Sequence, residues 1–132
     1  MDFTNYYIPF DHPKFKYKII KPYEIYTKIK NHFVQNDFIV LHRDGTLLFQ
    51  RNYTWDGPSG PALDTPNFMR GSLVHDGLYQ LIREKHLNIY RKKYADKLLR
   101  DICLEDGMNI FRAYYVYYAV KWFGTYAAKL EG

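Results

Sequence analysis

Between Gly57 and Pro66 the chain places three prolines and two glycines in ten residues, and this run decides what can lie on either side of it. Proline lacks a backbone donor and fixes its own φ angle, so neither a helix nor a sheet ladder continues through the segment. It must be a loop. Before it, apolar residues come in short β-forming runs; beyond about residue 70 they recur with helical spacing. The expected class is therefore α+β: an N-terminal β-hairpin with short strands, a loop, and three helices.

In the first half, Lys16 to Lys21 and Glu24 to Ile29 hold runs of β-formers that predict one or two early strands. The clearest element is a hairpin. Residues 38–42 (Phe-Ile-Val-Leu-His) and 46–50 (Thr-Leu-Leu-Phe-Gln) flank Asp44-Gly45, a dipeptide that tolerates the positive φ angles of a tight turn.

In the second half, Ser72 is expected to cap a helix running to about His86. Its wheel places Leu73, Val74, Gly77, Leu78, Leu81 and Ile82 on a packing half and His75, Asp76, Tyr79 and Arg83 on a polar one. A second helix, from about Asn88 to Glu105, turns Ala95, Leu98, Leu99, Ile102 and Cys103 inward, with Asp96 at the edge of that face. Lys92, Lys93, Lys97 and Arg100 read as a basic stripe facing solvent, and Gly107 ends the helix. A third helix, Asn109 to Phe123, is apolar or aromatic nearly all round, so it reads as the central packing helix; it is too short to span a bilayer.

At 132 residues the chain is expected to be a single domain, divided into a strand-rich part (1–54), a loop region (55–71) and a helical part (72–132). Its 14 Tyr, 9 Phe and 2 Trp are expected to serve core and rim packing. A formal charge of +5 favours acidic partners without choosing among nucleic acid, anionic lipid and acidic protein. One cysteine, Cys103, excludes an intrachain disulfide. The N-terminal residues lack the basic start and apolar run of a signal peptide, which makes synthesis without export the default expectation.

The chemistry-bearing residues cluster in three places. His75 can take a proton from water, a task suited to a group that titrates near neutrality, provided its other ring nitrogen is held by a carboxylate; Asp96 is the candidate. Asp76 projects about 100° further round the helix and can ligate a cation beside the imidazole. Backbone carbonyls of the Trp55 to Gly60 loop suit the same cation, since calcium prefers oxygen ligands, and the Gly57 amide can face a developing oxyanion. The same His-Asp pair also suits a purely structural, salt-bridged role.

Two resemblances bear on this choice. The ordered segments Trp55-Asp56-Gly57-Pro58-Ser59-Gly60-Pro61, Leu73-Val74-His75-Asp76-Gly77-Leu78-Tyr79, Ala95-Asp96 and Tyr118-Ala119-Val120-Lys121-Trp122-Phe123-Gly124 resemble a small family of phage and bacterial proteins with no assigned activity. Its members show a T-D-x-A-S-x-P loop, an H-D-x-L-Y helix, an A-D helix and a Y-x-A-V-R-x-F-G tail. That resemblance spans about residues 38 to 126 and implies a phage or prophage origin.

More distantly, the chain resembles the phospholipase A2 superfamily, most closely its disulfide-free form in parvovirus capsid proteins. There a Y-x-G-P-x-N-x-L-D loop precedes H-D-x-x-Y and A-D, and Trp55, Gly57, Pro58, Leu63, Asp64, His75, Asp76, Tyr79, Ala95 and Asp96 occupy the corresponding places. The resemblance implies a phospholipase A2-like helical core, with His75 as the base that activates water and Asp96 as the carboxylate that orients it. It further implies that the Tyr79 hydroxyl supports that pair and that Asp76 binds calcium with the carbonyls of Trp55, Gly57 and Ser59. Ser59 stands where the secreted enzymes carry glycine, and Asp56 adds a carboxylate to the loop.

The expected function is a phage-encoded, calcium-dependent hydrolase of phospholipid esters, met in the host bacterial cytoplasm or the virion. Lys93, Lys97 and Arg100 are the expected contacts to an anionic phospholipid surface. The alternative is a non-catalytic virion or host-interaction protein using the same fold. Nucleic acid is disfavoured as a partner because no base-reading or RNA-binding motif accompanies the basic stripe.

Overall fold

The computed structural model describes residues 2–57 and 64–129, which fall into two compact units, Met1–Gly57 and Pro58–Gly132. The strand-to-helix division of the sequence is thus a division between packing units as well. Among the described residues the class is α+β, with seven strands in two small antiparallel sheets and three α-helices.

In the first unit a 3₁₀ turn, Phe3–Tyr6, leads into a three-stranded sheet of order β1-β2-β7, made by β1 (Tyr7–Pro9), β2 (Tyr17–Ile19) and β7 (Thr54–Trp55). The second sheet has the order β3-β6-β5-β4, from β3 (Tyr23–Tyr26), β4 (Val34–Gln35), β5 (Ile39–Leu41) and β6 (Thr46–Phe49). The expected hairpin is β5–β6, with Ile39 opposite Phe49 and Leu41 opposite Leu47. These four side chains are fully buried and fix the register, since a slip of one residue would turn them all to the other face. Gly45 turns the hairpin at φ +99°, and the Asp44 carboxylate accepts from the Thr46 N–H at 2.9 Å. β1, β4 and β7, at two or three residues each, were too short to read from alternation. β7 is held by backbone pairing across a long separation, where Tyr17 meets Trp55.

In the second unit α1 (Pro66–Arg83) starts six residues before the expected cap. Thr65 is the N-cap residue and Pro66 supplies the first-turn φ angle, which is where proline fits a helix. Ser72 instead lies inside the helix and bonds back to the Met69 carbonyl at 3.0 Å. The expected polar half of α1 is also corrected: His75 and Tyr79 are buried, so packing surrounds most of the helix.

Asn88 accepts from the Tyr90 N–H over a 3₁₀ turn, Ile89–Arg91, before α2 (Lys92–Glu105) begins. Two charged residues of α2 were expected elsewhere. Asp96 is 1% exposed rather than at an edge, and Lys92 is buried rather than part of a solvent stripe. Arg70 of α1 grips the far end of α2 through a two-pronged bond to Asp106, 3.0 and 2.9 Å, and a bond to Glu105.

The third helix, α3 (Ile110–Lys129), begins beyond Asn109, whose side chain accepts from the Phe111 N–H. It is not the central helix of its unit. Ala113 and Val116 join Phe68, Leu99, Cys103 and Met108 in the core, but Ile110, Phe111, Tyr115 and Trp122 are exposed. No described helix is long and apolar enough to cross a membrane.

Candidate active site

The i, i+4 spacing of His75 and Tyr79 stacks their side chains on one side of α1, with ring centroids 4.0 Å apart. The same spacing on α2 aligns Lys92 with Asp96. Where the two helices face each other, Asp96 Oδ1 receives both the His75 ring nitrogen Nε2, at 2.8 Å, and the Tyr79 hydroxyl, at 2.6 Å. The other carboxylate oxygen, Oδ2, accepts from the Lys92 ammonium at 2.6 Å. Lys92 also donates to two α3 carbonyls, Val120 at 3.2 Å and Lys121 at 3.1 Å, so all three helices meet at one buried ion pair.

This arrangement sets the imidazole tautomer. A carboxylate only accepts, so the nitrogen facing Asp96 must carry its proton, and in the neutral ring Nδ1 then keeps a lone pair. Nδ1 looks toward Asp76, whose carboxylate oxygen is 3.9 Å away and whose side chain is 36% exposed. Burial disfavours imidazolium, but the nearby Asp76 carboxylate and the hydrogen-bonded Asp96 carboxylate outweigh it, so the His75 pKa is raised. For Asp96 burial favours the neutral acid, yet hydrogen bonds from His75, Lys92 and Tyr79 prevail and hold the carboxyl below its ordinary value. Burial, with the hydrogen bond to Asp96, pushes the Tyr79 phenol far up, so it serves as a fixed donor. Burial also pushes the Cys103 thiol up to about 12, which leaves it a packing residue with almost no thiolate at neutral pH.

The second unit thus brings together His75, Asp76, Tyr79 and Asp96. Lys92 completes the group and was missed, because an i, i+4 Lys-Asp pair at a helix start reads as an ordinary surface pair. Its burial depends on α3 approaching from the side, and Gly124 permits that approach: a Cβ there would overlap the Tyr79 hydroxyl. Gly124→Ala is therefore expected to lower stability by roughly 1–3 kcal/mol, through overpacking. A solvent-facing helical glycine would gain about 1 kcal/mol from the same change. Thermal denaturation checks the sign, and Tyr79→Phe, which removes the obstructing oxygen, should relieve part of the loss.

The loop residues belong to other parts of the chain. Trp55 and Gly57 belong to the first unit, and Ser59 lies outside the described residues. Trp55 packs against the rings of Tyr7 and Tyr17, and its carbonyl accepts from the Lys16 N–H at 3.1 Å. Gly57 takes φ +75°, and a Cβ on it would come 2.5 Å from the Tyr17 ring, so the position demands glycine whatever its further role.

A calcium ion needs hard oxygen ligands, and the Asp76 carboxylate, partly exposed and beside the imidazole, is of that kind. Among the described residues no three His, Cys, Asp or Glu side chains gather into a metal-binding group. The ligand set would accordingly be completed by backbone carbonyls and water, as calcium allows. Of the expected lipid contacts, Lys93 and Lys97 are exposed, whereas Arg100 is half-buried, bonded to Asp101 and stacked over Tyr114 and Tyr117. Comparison with known proteins finds no match: no protein-family model, no curated protein and no solved structure matches the chain.

Proposed function

We propose that the chain is a calcium-dependent, phospholipase A2-like hydrolase of phage origin that cleaves phospholipid esters with water activated by His75. The observation that carries this reading is the polarity of the imidazole: Nε2 is tied to Asp96 at 2.8 Å, and the basic nitrogen is turned toward Asp76. In the proposed reaction Nδ1 takes a proton from water as the oxygen attacks the ester carbonyl, then returns it to the departing alcohol. Asp96 stabilises the transient imidazolium, with Tyr79 and Lys92 holding that carboxylate in place. Calcium held by Asp76 would polarise the ester; the carbonyls of Trp55, Gly57 and Ser59 as its further ligands, and the Gly57 amide at the oxyanion, rest on the resemblance alone.

A cation bound at Asp76 would be linked to the base by charge. The Asp76 carboxylate helps hold the proton on His75, so a cation that neutralises Asp76 weakens that hold and lowers the His75 pKa. Calcium is expected to bind in the micromolar to millimolar range for so modest a ligand set. NMR titration of the imidazole should show its pKa falling when calcium is added, and Asp76→Asn should abolish the fall. The direct test is fatty-acid release from mixed micelles with and without chelator. No release across several lipid compositions, in calcium, would overturn the hydrolase.

A second reading, a non-catalytic virion or host-interaction protein, draws support from how completely the cluster is satisfied. His75 is only 7% exposed, and among the described residues no fully buried side-chain nitrogen or oxygen lacks a hydrogen bond. On this reading His75, Tyr79, Lys92 and Asp96 lock the helices together. Host cytoplasm and virion are the proposed locations under either reading.

A further inference from the structure

Helix α3 leaves uncovered a face that its own unit does not use. Phe111, Tyr115, Tyr118 and Trp122 follow one another at intervals of four, three and four residues, forming a single stripe about 17 Å long. Phe111 is 83% exposed, Tyr115 63% and Trp122 67%, with Ile110 and Tyr114 alongside. A continuous aromatic stripe of this kind is unlike the scattered apolar residues of an ordinary surface.

Its charge is as one-sided as its shape. α3 contains no Asp or Glu, and its charged residues are Arg112, Lys121 and Lys129. Lys121 lies 5.7 Å from the centre of the Tyr118 ring. Arg100 of α2, paired with Asp101, lies over Tyr114 beside the stripe and over the buried Tyr117, at 5.2 and 5.0 Å, on the helix that bears exposed Lys93 and Lys97.

We infer that this face docks on an anionic lipid bilayer, with the α3 rings entering the headgroup region and the basic rim meeting lipid phosphates. Tyr and Trp are suited to that depth because each couples an apolar ring to a polar atom, and a helix with one aromatic face and basic flanks lies in the interface plane. A second copy of the chain is the poorer occupant, because a twofold contact would bring two basic rims together. The inference rests on the proposed function for the choice of lipid as partner, but docking itself requires neither calcium nor turnover.

The test uses the full chain in chelator, so that a failure of hydrolysis leaves the result unaffected. Co-sedimentation is measured with vesicles of phosphatidylcholine and with vesicles that also contain phosphatidylglycerol. Wild type should partition at least about 10-fold more strongly onto the anionic vesicles, and added salt should remove most of the difference. Joint replacement of Phe111, Tyr115 and Trp122 by Ser should cut partition by about 10-fold or more, with circular dichroism unchanged. Tryptophan fluorescence gives a readout that needs no multiple variant. Trp122 is exposed and Trp55 is 2% exposed, so bromine on the lipid chains should quench wild type, and Trp122→Phe should abolish the quenching. Equal partition onto both vesicles, or quenching that survives Trp122→Phe, overturns the inference. So does concentration-dependent dimerisation that the triple Ser variant abolishes, which would assign the face to a second copy. Absence of binding to either vesicle overturns it too and leaves the face to a protein partner.

Discussion

Replacing His75 by Gln is expected to lower fatty-acid release by about 100-fold or more, the scale of general-base catalysis, while calcium affinity stays nearly constant. Gln keeps much of the imidazole's shape and can still donate to Asp96, but it has no nitrogen able to take a proton from water. Asp76, the proposed cation ligand, is left in place, and its side chain is the more exposed of the pair. Turnover in wild type should rise with pH through the His75 pKa of the calcium-loaded protein, because only the neutral ring is a base, and that rise should lie below the imidazole pKa measured in chelator, which Asp76 and Asp96 hold up. Mixed-micelle assays across pH, paired with calorimetric calcium titration of both proteins, check each part. Release unchanged in His75→Gln would remove the base from the reading. Asp96→Asn is a less clean companion than the sequence alone would indicate, since it also strips Lys92 of its counter-charge. Tyr79→Phe is the milder probe, deleting one donor and no charge.

The second large effect is expected at Lys92. Lys92→Met leaves the Asp96 carboxylate buried without its cation, a change that typically costs about 3–5 kcal/mol and should lower Tm by roughly 10 °C or more. The loss should depend on pH in a definite direction. Asp96 has a lowered folded pKa, so its contribution is present above its unfolded pKa and disappears as pH falls through the folded one. His75 has a raised folded pKa, so its contribution is complete below about 6.5 and disappears as pH rises through the folded value. Without Lys92, protonated His75 becomes the remaining cation beside Asp96. Its pKa should then rise further, and the variant should lose less stability at pH 6 than at pH 8. Thermal melts of both proteins at the two pH values measure this. A penalty independent of pH would show that Lys92 and His75 do not share Asp96 electrostatically. Lys92→Arg keeps the charge and should recover part of the loss, limited by fitting a planar fork against the Val120 and Lys121 carbonyls.

Much of this architecture was legible along the chain. The Gly/Pro-rich run separated strands from helices because its residues forbid either ladder whatever surrounds them, and Asp44-Gly45 fixed a turn by local backbone preference alone. The spacing of His75, Asp76 and Tyr79 put them on one helix, and Asn88 and Asn109 announced helix starts through their own side chains. These are local properties, settled by a residue and its near neighbours.

Three dimensions decided what periodicity could not. A helical wheel assigns polar residues to solvent, but His75, Tyr79, Lys92 and Asp96 are buried because each supplies the partner that another requires, and those partners come from different helices. Likewise, the apolar circumference of α3 read as a central position. Yet a helix can bury only the side that neighbours cover, and with Lys92 and Gly124 drawing one side of α3 onto the ion pair, its aromatic side is left exposed. The sequence by itself determined which side chains could perform acid-base and cation chemistry and on which elements they would lie. Only the tertiary structure decided that Asp96 carries a second, positive partner and that α3 turns its rings outward, because burial and charge pairing are properties of surfaces brought together from distant parts of the chain.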